Sequence, residues 1–488
     1  MNENILKLED LDLFRQQAYI DGSWVNADQG KKFSVKNPAT GEKIAEVPLL
    51  GVTETRRAIV AADLAWPEWR RRTAKDRSTL LRKWYELILD RTDDLAKLMT
   101  AEQGKPLAEA RGEVLYAASF IEWFAEEGKR LYGETIPSPL ADRRILVLRE
   151  SIGVCAAITP WNFPLAMITR KVGPALAAGN PIIVKPAEST PLSALALAVL
   201  AERAGIPRGV LQILTGDPRA IGDELTANPL VRKMSFTGST EVGRILYKQS
   251  AQTIKKLSLE LGGNAPFIVF EDADLDAAVV GAMASKYRNA GQTCVCTNRF
   301  YIHDKVYDAF AQKFIEAVEK LQVGDGRKAD VTQGPLINEA AVRKVESHIE
   351  DAVAKGARVV LGGRRHVLGG SFFEPTILVD VNVTMKIAKE ETFGPVAPLF
   401  RFHTDDEVVM LANDTEFGLA SYFYTKDVSR VWRVLDALEY GMVGVNTGMI
   451  STEVAPFGGF KQSGLGREGS RYGIEDYTVI KYVAMAGI

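Results

Sequence analysis

Residues 153–185, GVCAAITPWNFPLAMITRKVGPALAAGNPIIVK, contain the pattern that decides the fold. The apolar run at 154–158 is typical of a buried strand, residues 165–178 repeat apolar side chains at helical spacing, and 181–184 is a second β-type run. Two short strands joined by one helix form a βαβ unit, in which the strands lie parallel. The stretch therefore predicts a parallel sheet covered by helices.

The alternation of strand and helix continues on both sides of this stretch. Short β-type runs at 18–47 and amphipathic helices at 53–132 precede it. Further strands are predicted at 211–214, 234–236 and 257–259, with helices at 192–204, 221–227 and 240–251. A second series of apolar runs follows at 266–269, 300–303, 358–361, 397–400 and 444–445. A chain of 488 residues usually forms two or three domains, and these two series predict two α/β domains.

The composition is that of a soluble globular protein, with 46% hydrophobic and 25% charged residues. Sixty Lys and Arg against 62 Asp and Glu give a formal net charge of −2, so no nucleic acid or anionic membrane is expected as a partner. Residues 1–17 are rich in acidic side chains and lack the apolar run of a secretory signal, which predicts a cytoplasmic protein. The uncharged stretch 151–169 is interrupted by prolines and is interpreted as a strand and loop rather than a membrane span.

The three cysteines, Cys155, Cys294 and Cys296, are too few for a disulfide framework and lack the spacing of a zinc site, so no metal is expected. Cys294 follows Gly291, which permits a close approach of the backbone to a ligand, and a thiolate there is suited to attack a carbonyl carbon. The alternative is a pair of buried structural thiols. All four histidines lie outside this motif, so the base would be a carboxylate, and Glu260 at a predicted strand end is the candidate.

Three more polar motifs follow predicted strands. Asn162 lies between two prolines, where its amide either donates to an oxyanion or only forms a turn. Lys185 and Glu188 end the second strand, where a doubly wound sheet binds an adenosine ribose, unless they are an ordinary surface pair. Gly238 and Ser239 precede a helix whose first amides would face a phosphate, unless the helix is simply capped there.

Together these segments resemble the NAD(P)-dependent aldehyde dehydrogenase superfamily over nearly the whole chain. Seven motifs occur in the family's order, at 159–164, 185–188, 236–243, 260–264, 291–294, 391–395 and 456–468. The resemblance implies an α/β fold with a Rossmann-like parallel-sheet cofactor domain, an α/β catalytic domain and a small β oligomerisation hairpin. The domains are expected at 1–132 and 150–262 for NAD binding, 263–477 for catalysis, and 133–149 and 478–488 for oligomerisation.

The resemblance also implies a role for each site residue. Cys294 would be the nucleophile, Glu260 the general base, and Asn162 with the Cys294 backbone N–H the oxyanion hole. The expected cofactor-binding residues are Trp161, Lys185, Glu188, Gly238, Ser239, Glu391 and Phe393. NAD is expected to be preferred over NADP, because Glu188 would repel a 2′-phosphate, although Lys185 would attract it.

Within the superfamily, residues 167–179, 291–298 and 464–473 are most similar to succinate-semialdehyde dehydrogenases, and glutarate-semialdehyde dehydrogenases share the pattern. This likeness implies oxidation of succinate semialdehyde to succinate by a homodimer or homotetramer. Arg170, Arg288 and Ser451 match positions that bind the substrate carboxylate in the subgroup. For each arginine the alternative is a solvated salt bridge.

Other interpretations of the sequence remain. A thiol hydrolase using Cys294 would need no dinucleotide, and a lens-type structural protein would keep this fold without activity. An increase in the absorbance of reduced nicotinamide when an aldehyde is added would distinguish a dehydrogenase from both of these. A further hypothesis is that Cys294 and Cys296 oxidise to a reducible disulfide that switches the enzyme off, detectable by mass spectrometry after mild peroxide.

Overall fold

The computed structural model describes residues 6–487, in which two large sheets are covered by helices. Residues 1–5 and 488, the outer ends of the predicted NAD-binding and oligomerisation domains, lie outside the described residues. The predicted α/β fold with parallel sheets is confirmed. The division into domains stays a prediction.

The first sheet has eight strands, and its five central strands run parallel. In spatial order the strands are Ser23–Val25, Ala18–Ile20, Leu211–Ile213, Ile182–Lys185, Val154–Ile158, Val231–Thr237, Lys256–Glu260 and Gly464–Leu465. Numbered along the chain, the central five therefore have the spatial order 3-2-1-4-5 of a doubly wound sheet.

The strand order reverses between Val154–Ile158 and Val231–Thr237, which are neighbours in the sheet. In open α/β sheets a ligand crevice forms at the carboxyl ends of the strands at such a switch point. The loop 159–164 leaves the first of these strands and the turn 238–239 leaves the second. Two of the predicted site segments therefore meet at one crevice.

The second sheet has seven strands, five of which the sequence predicted. In spatial order they are Arg358–Leu361, Thr376–Val379, Val396–Phe402, Thr297–His303, Ala265–Val269, Ala420–Tyr424 and Met442–Val445. The prediction missed Thr376–Val379 and Ala420–Tyr424, because both are short and neither has a clear turn signal on each side. Arg358–Leu361 is an antiparallel edge strand rather than part of the parallel series.

The helices are amphipathic or fully apolar according to how many neighbours cover them. They are Val52–Arg71, Ala74–Asp90, Thr92–Gln103, Leu107–Glu127, Ala166–Ala177, Pro191–Ala204, Pro218–Ala227, Thr240–Ser250, Leu275–Lys286, Tyr307–Val318, Glu339–Ala354, Lys386–Lys389, Asp405–Asn413, Val428–Ala437 and Ser470–Glu475. Every residue of Ala166–Ala177 is buried, because this helix packs between the first sheet and Leu107–Glu127. A helix enclosed on all sides is expected to carry apolar side chains on every face. Its two charged residues, Arg170 and Lys171, therefore require partners inside the protein.

A third, antiparallel sheet joins Glu134–Ile136, Arg143–Ser151 and Thr478–Ala486. Its long pair runs in register from Ser151 opposite Thr478 to Arg143 opposite Ala486. The predicted hairpin therefore pairs with the C-terminal segment, while its role in oligomerisation stays a prediction. Two small antiparallel pairs complete the strands, Lys32–Lys36 with Lys43–Pro48 and Phe417–Gly418 with Phe460–Lys461.

No helix within residues 6–487 is long and apolar enough to span a bilayer.

Candidate active site

A cavity of about 400 Å³ lies at the switch point of the first sheet and reaches the second sheet. Eight predicted site residues line it: Trp161, Asn162, Gly238, Ser239, Glu260, Cys294, Glu391 and Phe393. The other predicted residues, Lys185, Glu188, Arg170, Arg288, Ser451 and Cys296, lie outside its wall. The carboxyl ends of several strands thus bring together the catalytic candidates and most of the cofactor candidates.

The loop that carries Cys294 has an unusual backbone. Asn289 and Ala290 adopt left-handed conformations with φ of 52° and 56°, and Gly291 follows with φ of 74°. A Cβ on Gly291 would lie 2.2 Å from the carbonyl oxygen of Gly394, so only glycine fits there. This contact brings the Cys294 loop against the segment that contains Glu391.

Cys294 is a half-buried free thiol at the cavity wall. Burial raises the pKa of its thiol to about 12, and the positive charges of Arg170 and Arg288 act in the opposite direction. The free thiol is therefore protonated at neutral pH. A reaction through the sulfur requires a group that removes this proton as the bond to carbon forms.

Asn162 presents its side-chain amide to the same cavity. Its Nδ2 donates to the carbonyl oxygen of Gln292 at 3.0 Å, two residues before Cys294. The second proton on Nδ2 is left for another acceptor. Because this hydrogen bond fixes the amide beside the Cys294 loop, the geometry suits donation to an oxygen on a carbon bound to Cys294 Sγ.

Glu260 ends the strand Lys256–Glu260 and is buried. Neither of its carboxylate oxygens has a hydrogen-bond partner among the described residues. Burial, and next the negative charge of Glu468, raise the pKa of Glu260 well above its usual range, while Arg170 and Lys171 lower it. A buried, unpaired carboxyl with a raised pKa is suited to accept a proton near neutral pH.

The charges behind Glu260 form a buried cluster that sequence reasoning missed. Lys171 Nζ lies 2.5 Å from Glu468 and 2.5 Å from Thr237 Oγ1, and Arg170 forms an ion pair with Glu468 through its Nε. The only sequence signal was a pair of adjacent cations in an otherwise apolar helix. Their partner lies 297 residues away along the chain, so the pairing itself could not be predicted.

Arg170, predicted to bind the substrate carboxylate, is already paired with a carboxylate of its own chain. Its guanidinium is buried and lies 4.0 Å from the centroid of the Phe457 ring. The structure therefore does not bring Arg170 into the cavity wall. A substrate carboxylate would have to compete with Glu468 for it.

Arg288 is placed differently. It is half-buried, lies over the Phe163 ring at 5.3 Å, and has no carboxylate in ion-pair contact among residues 6–487. Its NH1 is 4.0 Å from Met449 Sδ, so the helix end at Arg288 touches the loop that contains Ser451, itself half-buried. Phe163 lines the cavity, which places this guanidinium at its edge.

The opposite side of the cavity has the features of a dinucleotide site. The rings of Trp161 and Phe393 meet edge to face, 5.6 Å between centroids, and Glu391 Oε1 accepts from Gly263 N at 3.2 Å. Burial raises the pKa of Glu391 to about 7. Ser239 caps the eleven-residue helix Thr240–Ser250 by accepting from Val242 N, so the free amides of that helix end face the cavity.

Lys185 and Glu188 form an ion pair at the end of the next strand, outside the cavity wall. The lysine is buried and the glutamate side chain is 43% exposed. Burial lowers the pKa of Lys185, while Glu188 opposes this shift. The pair is available to a ligand that extends from the cavity along the strand ends.

Cys296 lies in the core rather than in the cavity. Its Sγ donates to the carbonyl oxygen of Lys286 at 3.4 Å, and all three cysteines are free thiols. Cys294 and Cys296 lie in the turn 293–296, which is closed by Cys296 N donating to Thr293 O at 3.0 Å. The redox switch stays a prediction.

No cluster of three or more His, Cys, Asp or Glu suited to a metal ion occurs among the described residues.

One wall of the cavity comes from an element that sequence reasoning did not assign. Lys344, Ala341 and Ala340 from the helix Glu339–Ala354, with Asn338 at its N-cap, line the side near Glu391. No motif marks this helix, because its contribution depends on how the second sheet packs against the first.

Comparison with known proteins gives a consistent result. The family model described as "Aldehyde dehydrogenase family" matches residues 24–483. The chain is 65% identical to a glutarate-semialdehyde dehydrogenase of Pseudomonas aeruginosa, over 99% of this chain and 100% of that protein. It is also 65% identical to a succinate-semialdehyde dehydrogenase [NADP(+)] of Escherichia coli, over 98% of this chain and 100% of that protein. A crystal structure of succinate-semialdehyde dehydrogenase from Burkholderia pseudomallei superposes with a TM-score of 0.98 at 68% identity, covering 98% of this chain and 100% of that one. The chain belongs to the aldehyde dehydrogenase family.

Proposed function

We propose that this protein oxidises succinate semialdehyde to succinate with a nicotinamide dinucleotide as the acceptor. Glutarate semialdehyde, one carbon longer, is the second candidate, because a relative with that name is as similar as one named for succinate semialdehyde. The observation that carries the proposal is the meeting of Cys294, Glu260 and Asn162 at one cavity, with the unpaired guanidinium of Arg288 at its edge.

In the proposed mechanism, Cys294 Sγ forms a bond to the aldehyde carbon as its thiol proton passes to solvent water. The oxygen becomes an oxyanion that accepts from Asn162 Nδ2 and from the backbone N–H of Cys294. The bound dinucleotide supplies the acceptor for the hydride that the carbon then loses, which leaves a thioester on Cys294. Glu260 takes a proton from water and the hydroxide oxygen adds to the thioester carbon. The carbon–sulfur bond then breaks to release the carboxylic acid, which ionises, while the proton on Glu260 passes to the cysteine sulfur.

The residues present fit a dinucleotide. The eleven-residue helix Thr240–Ser250 begins at the cavity-lining residues Gly238 and Ser239, and the amides of its first turn would bind the pyrophosphate. Glu391 would accept from a ribose hydroxyl, and Trp161 and Phe393 would flank the nicotinamide ring. Lys185 and Glu188 would hold the adenosine ribose at the far end. A general base near the thioester favours water over coenzyme A as the final acceptor of the acyl group.

We further propose that NAD is preferred over NADP. Glu188 would accept from the ribose 2′-hydroxyl and repel a 2′-phosphate, whereas Lys185 attracts the phosphate but is held by Glu188. Two relatives carry NADP(+) in their names, whereas the preference proposed here rests on the Lys185–Glu188 ion pair.

Glu188→Gln is expected to raise the ratio of NADP to NAD efficiency about fivefold, because an exposed like charge costs on the order of 1 kcal/mol at 4 Å. The measurement is kcat/KM for both dinucleotides with one aldehyde. Asp217→Asn, which removes an exposed carboxylate that acts on Lys185 only through its charge, is the matched control. An unchanged ratio in Glu188→Gln would show that Glu188 does not face the ribose.

The acidic end of the substrate is assigned chiefly to Arg288, with Ser451 on the adjoining loop as a hydroxyl donor. A guanidinium at the cavity edge without a carboxylate partner is free to bind a substrate carboxylate in a bidentate way. Arg170, paired with Glu468, would contribute its charge from behind the catalytic residues.

Arg288→Ala is expected to lower kcat/KM for succinate semialdehyde about 30- to 800-fold, since one charged contact in a desolvated pocket contributes roughly 2 to 4 kcal/mol. Butanal, which has no carboxylate, should be oxidised by this variant almost as well as by the wild type. Arg170→Ala should lower both activities, because it removes one of the two cations that pair with Glu468 beside Glu260. Equal losses for both aldehydes in Arg288→Ala would contradict the assignment.

The function itself is tested by absorbance at the reduced-nicotinamide band with succinate semialdehyde, glutarate semialdehyde and butanal. A thiol hydrolase or an inactive structural protein would give no signal with any of them. A wild-type preference for butanal would overturn the choice of an acidic aldehyde. A preference for glutarate semialdehyde would change only the chain length of the substrate.

We also propose a cytoplasmic homodimer or homotetramer. The edge strand Thr478–Ala486 exposes Ile480 and Tyr482, 67% and 64% accessible, on a sheet whose partner would cover them. Three free thiols accord with a reducing compartment. Multi-angle light scattering of the wild type and of Ile480→Lys measures the oligomeric state, and the variant is expected to dissociate.

A further inference from the structure

The connection between the helices Thr92–Gln103 and Leu107–Glu127 contains a lysine whose ammonium group is enclosed by the active-site loop. Lys105 is 2% exposed, and its Nζ donates to the carbonyl oxygen of Asn162 at 2.8 Å. The ammonium lies 4.0 Å from the centroid of the Phe163 ring and forms an ion pair with Glu113. Both ionic side chains are 1% exposed, so the contact is shielded from solvent.

Glu113 holds the other end of the same loop. Its Oε1 accepts from Leu165 N at 2.9 Å and from Ala166 N at 3.3 Å, the amides where the helix Ala166–Ala177 begins. Lys105 and Glu113 therefore fix residues 162–166 from both sides. Asn162 therefore follows the rigid Pro160 on one side and leads into the segment held by these two contacts on the other.

The same region of the chain also holds the Cys294 loop. Gln103 Nε2 donates to Asn289 Oδ1 at 2.9 Å, and Glu109 Oε2 accepts from Asn289 N at 2.8 Å. Asn289 in turn donates from Nδ2 to the carbonyl oxygen of Asn162 at 2.9 Å. One carbonyl, that of Asn162, thus receives donors from Lys105 and from the loop that leads to Cys294.

A buried ion pair is a poor way to gain stability, because apolar residues of similar size usually serve as well. It does specify geometry, since the ammonium must meet both its acceptors. The atoms it meets here are the backbone of Asn162 and the carboxylate that caps the next helix. The side-chain amide of Asn162 is attached to that backbone and points at Gln292 O.

We propose that Lys105 is a positioning residue for aldehyde oxidation, which holds the Asn162 amide in register with the backbone N–H of Cys294. This inference rests on the proposed function, in which both groups donate to the oxyanion. Lys105 itself does not line the cavity, so it acts only through Asn162.

The test is a double-mutant cycle. Lys105→Met is combined with Glu113→Gln, because Lys105→Met alone would leave the buried carboxylate of Glu113 without its cation. The side-chain amide oxygen introduced by Glu113→Gln can still accept from the amides of Leu165 and Ala166. Lys105→Met alone is measured beside it. In the protein that keeps Asn162, the two substitutions together are expected to lower kcat about 30- to 100-fold, by analogy with the loss of one aligned oxyanion donor. In the Asn162→Ala background it is expected to lower kcat further by less than about threefold.

Two controls separate positioning from general support. Lys233→Met removes another fully buried lysine, bound to Ser258 Oγ at 2.5 Å and remote from the cavity wall, and should leave kcat within about twofold. Alkylation of Cys294 by iodoacetamide needs no oxyanion donor, so its rate should be nearly the same in wild type and in the protein with both Lys105→Met and Glu113→Gln.

Equal losses of kcat in both Asn162 backgrounds would overturn the inference, and so would a parallel loss of alkylation rate. Either result would mean that Lys105 supports the whole site rather than the Asn162 amide. Absence of reduced nicotinamide from the wild type with every aldehyde would instead contradict the proposed function.

Discussion

Replacing Cys294 by alanine is expected to lower aldehyde oxidation by at least about 10⁴-fold, because Cys294 carries the only thiol among the described residues that line the cavity. Binding of the dinucleotide should change little, since the pyrophosphate and ribose contacts lie elsewhere. The measurements are steady-state formation of reduced nicotinamide and dinucleotide titration by fluorescence quenching. Substantial turnover in this variant would refute the assignment.

Cys296→Ala is the matched control, because its thiol is two residues away but directed at the carbonyl of Lys286. It is expected to keep activity within about threefold of the wild type. The same variant tests the redox hypothesis. If peroxide inactivates the wild type reversibly through a disulfide, Cys296→Ala should lose that reversibility, and mass spectrometry should find the bridge only in the wild type.

Glu260→Gln is expected to lower steady-state turnover about 10²- to 10⁴-fold while one rapid turnover survives. The base is needed to activate water for hydrolysis of the thioester, and the hydride leaves before that step. A pre-steady-state burst of reduced nicotinamide, equal to the concentration of sites, should therefore persist. Loss of the burst together with the steady state would show that Glu260 is needed earlier, to deprotonate Cys294.

The raised pKa of Glu260 gives both activity and stability a pH dependence of known sign. Turnover of the wild type should rise with pH as the carboxyl ionises, and Glu260→Gln should lose that rise. Folding disfavours ionisation here, so the wild type loses stability as pH rises from the unfolded-state pKa through the raised folded-state pKa. The variant should accordingly melt at a higher temperature than the wild type at alkaline pH, by differential scanning calorimetry.

The sequence was most informative where the chain has to turn sharply or approach itself. Gly291 and the prolines around Asn162 are dictated by local backbone geometry, so their motifs marked the site. The alternation of strands and helices predicted the parallel sheet, whereas the meeting of the loop after Val154–Ile158 with the turn after Val231–Thr237 follows from the strand order in the structure.

Contacts between distant segments could not be predicted in this way. Glu468 reaches Lys171 across 297 residues, and Lys105 reaches Asn162 from a helix connection that carries no motif. Arg170 and Arg288 looked equivalent in sequence. Only packing shows that Arg170 is paired with a carboxylate, whereas Arg288 has no carboxylate in ion-pair contact among residues 6–487. Buried partners are chosen by the tertiary fold, which short-range patterns do not specify.

The cluster of Arg170, Lys171, Glu468 and Glu260 has two cations and two anions when all are ionised. When Glu260 takes a proton from water and the hydroxide oxygen adds to the thioester, one negative charge moves from the carboxylate to the oxyanion and then, as the carbon–sulfur bond breaks, to the sulfur. The total charge enclosed by the protein stays the same throughout this hydrolysis. The buried surroundings therefore never have to solvate an added charge while the thioester is hydrolysed. Such a site lowers the reorganisation that the proton transfer would otherwise demand, because the fixed charge of Arg170 acts on both Glu260 and Cys294.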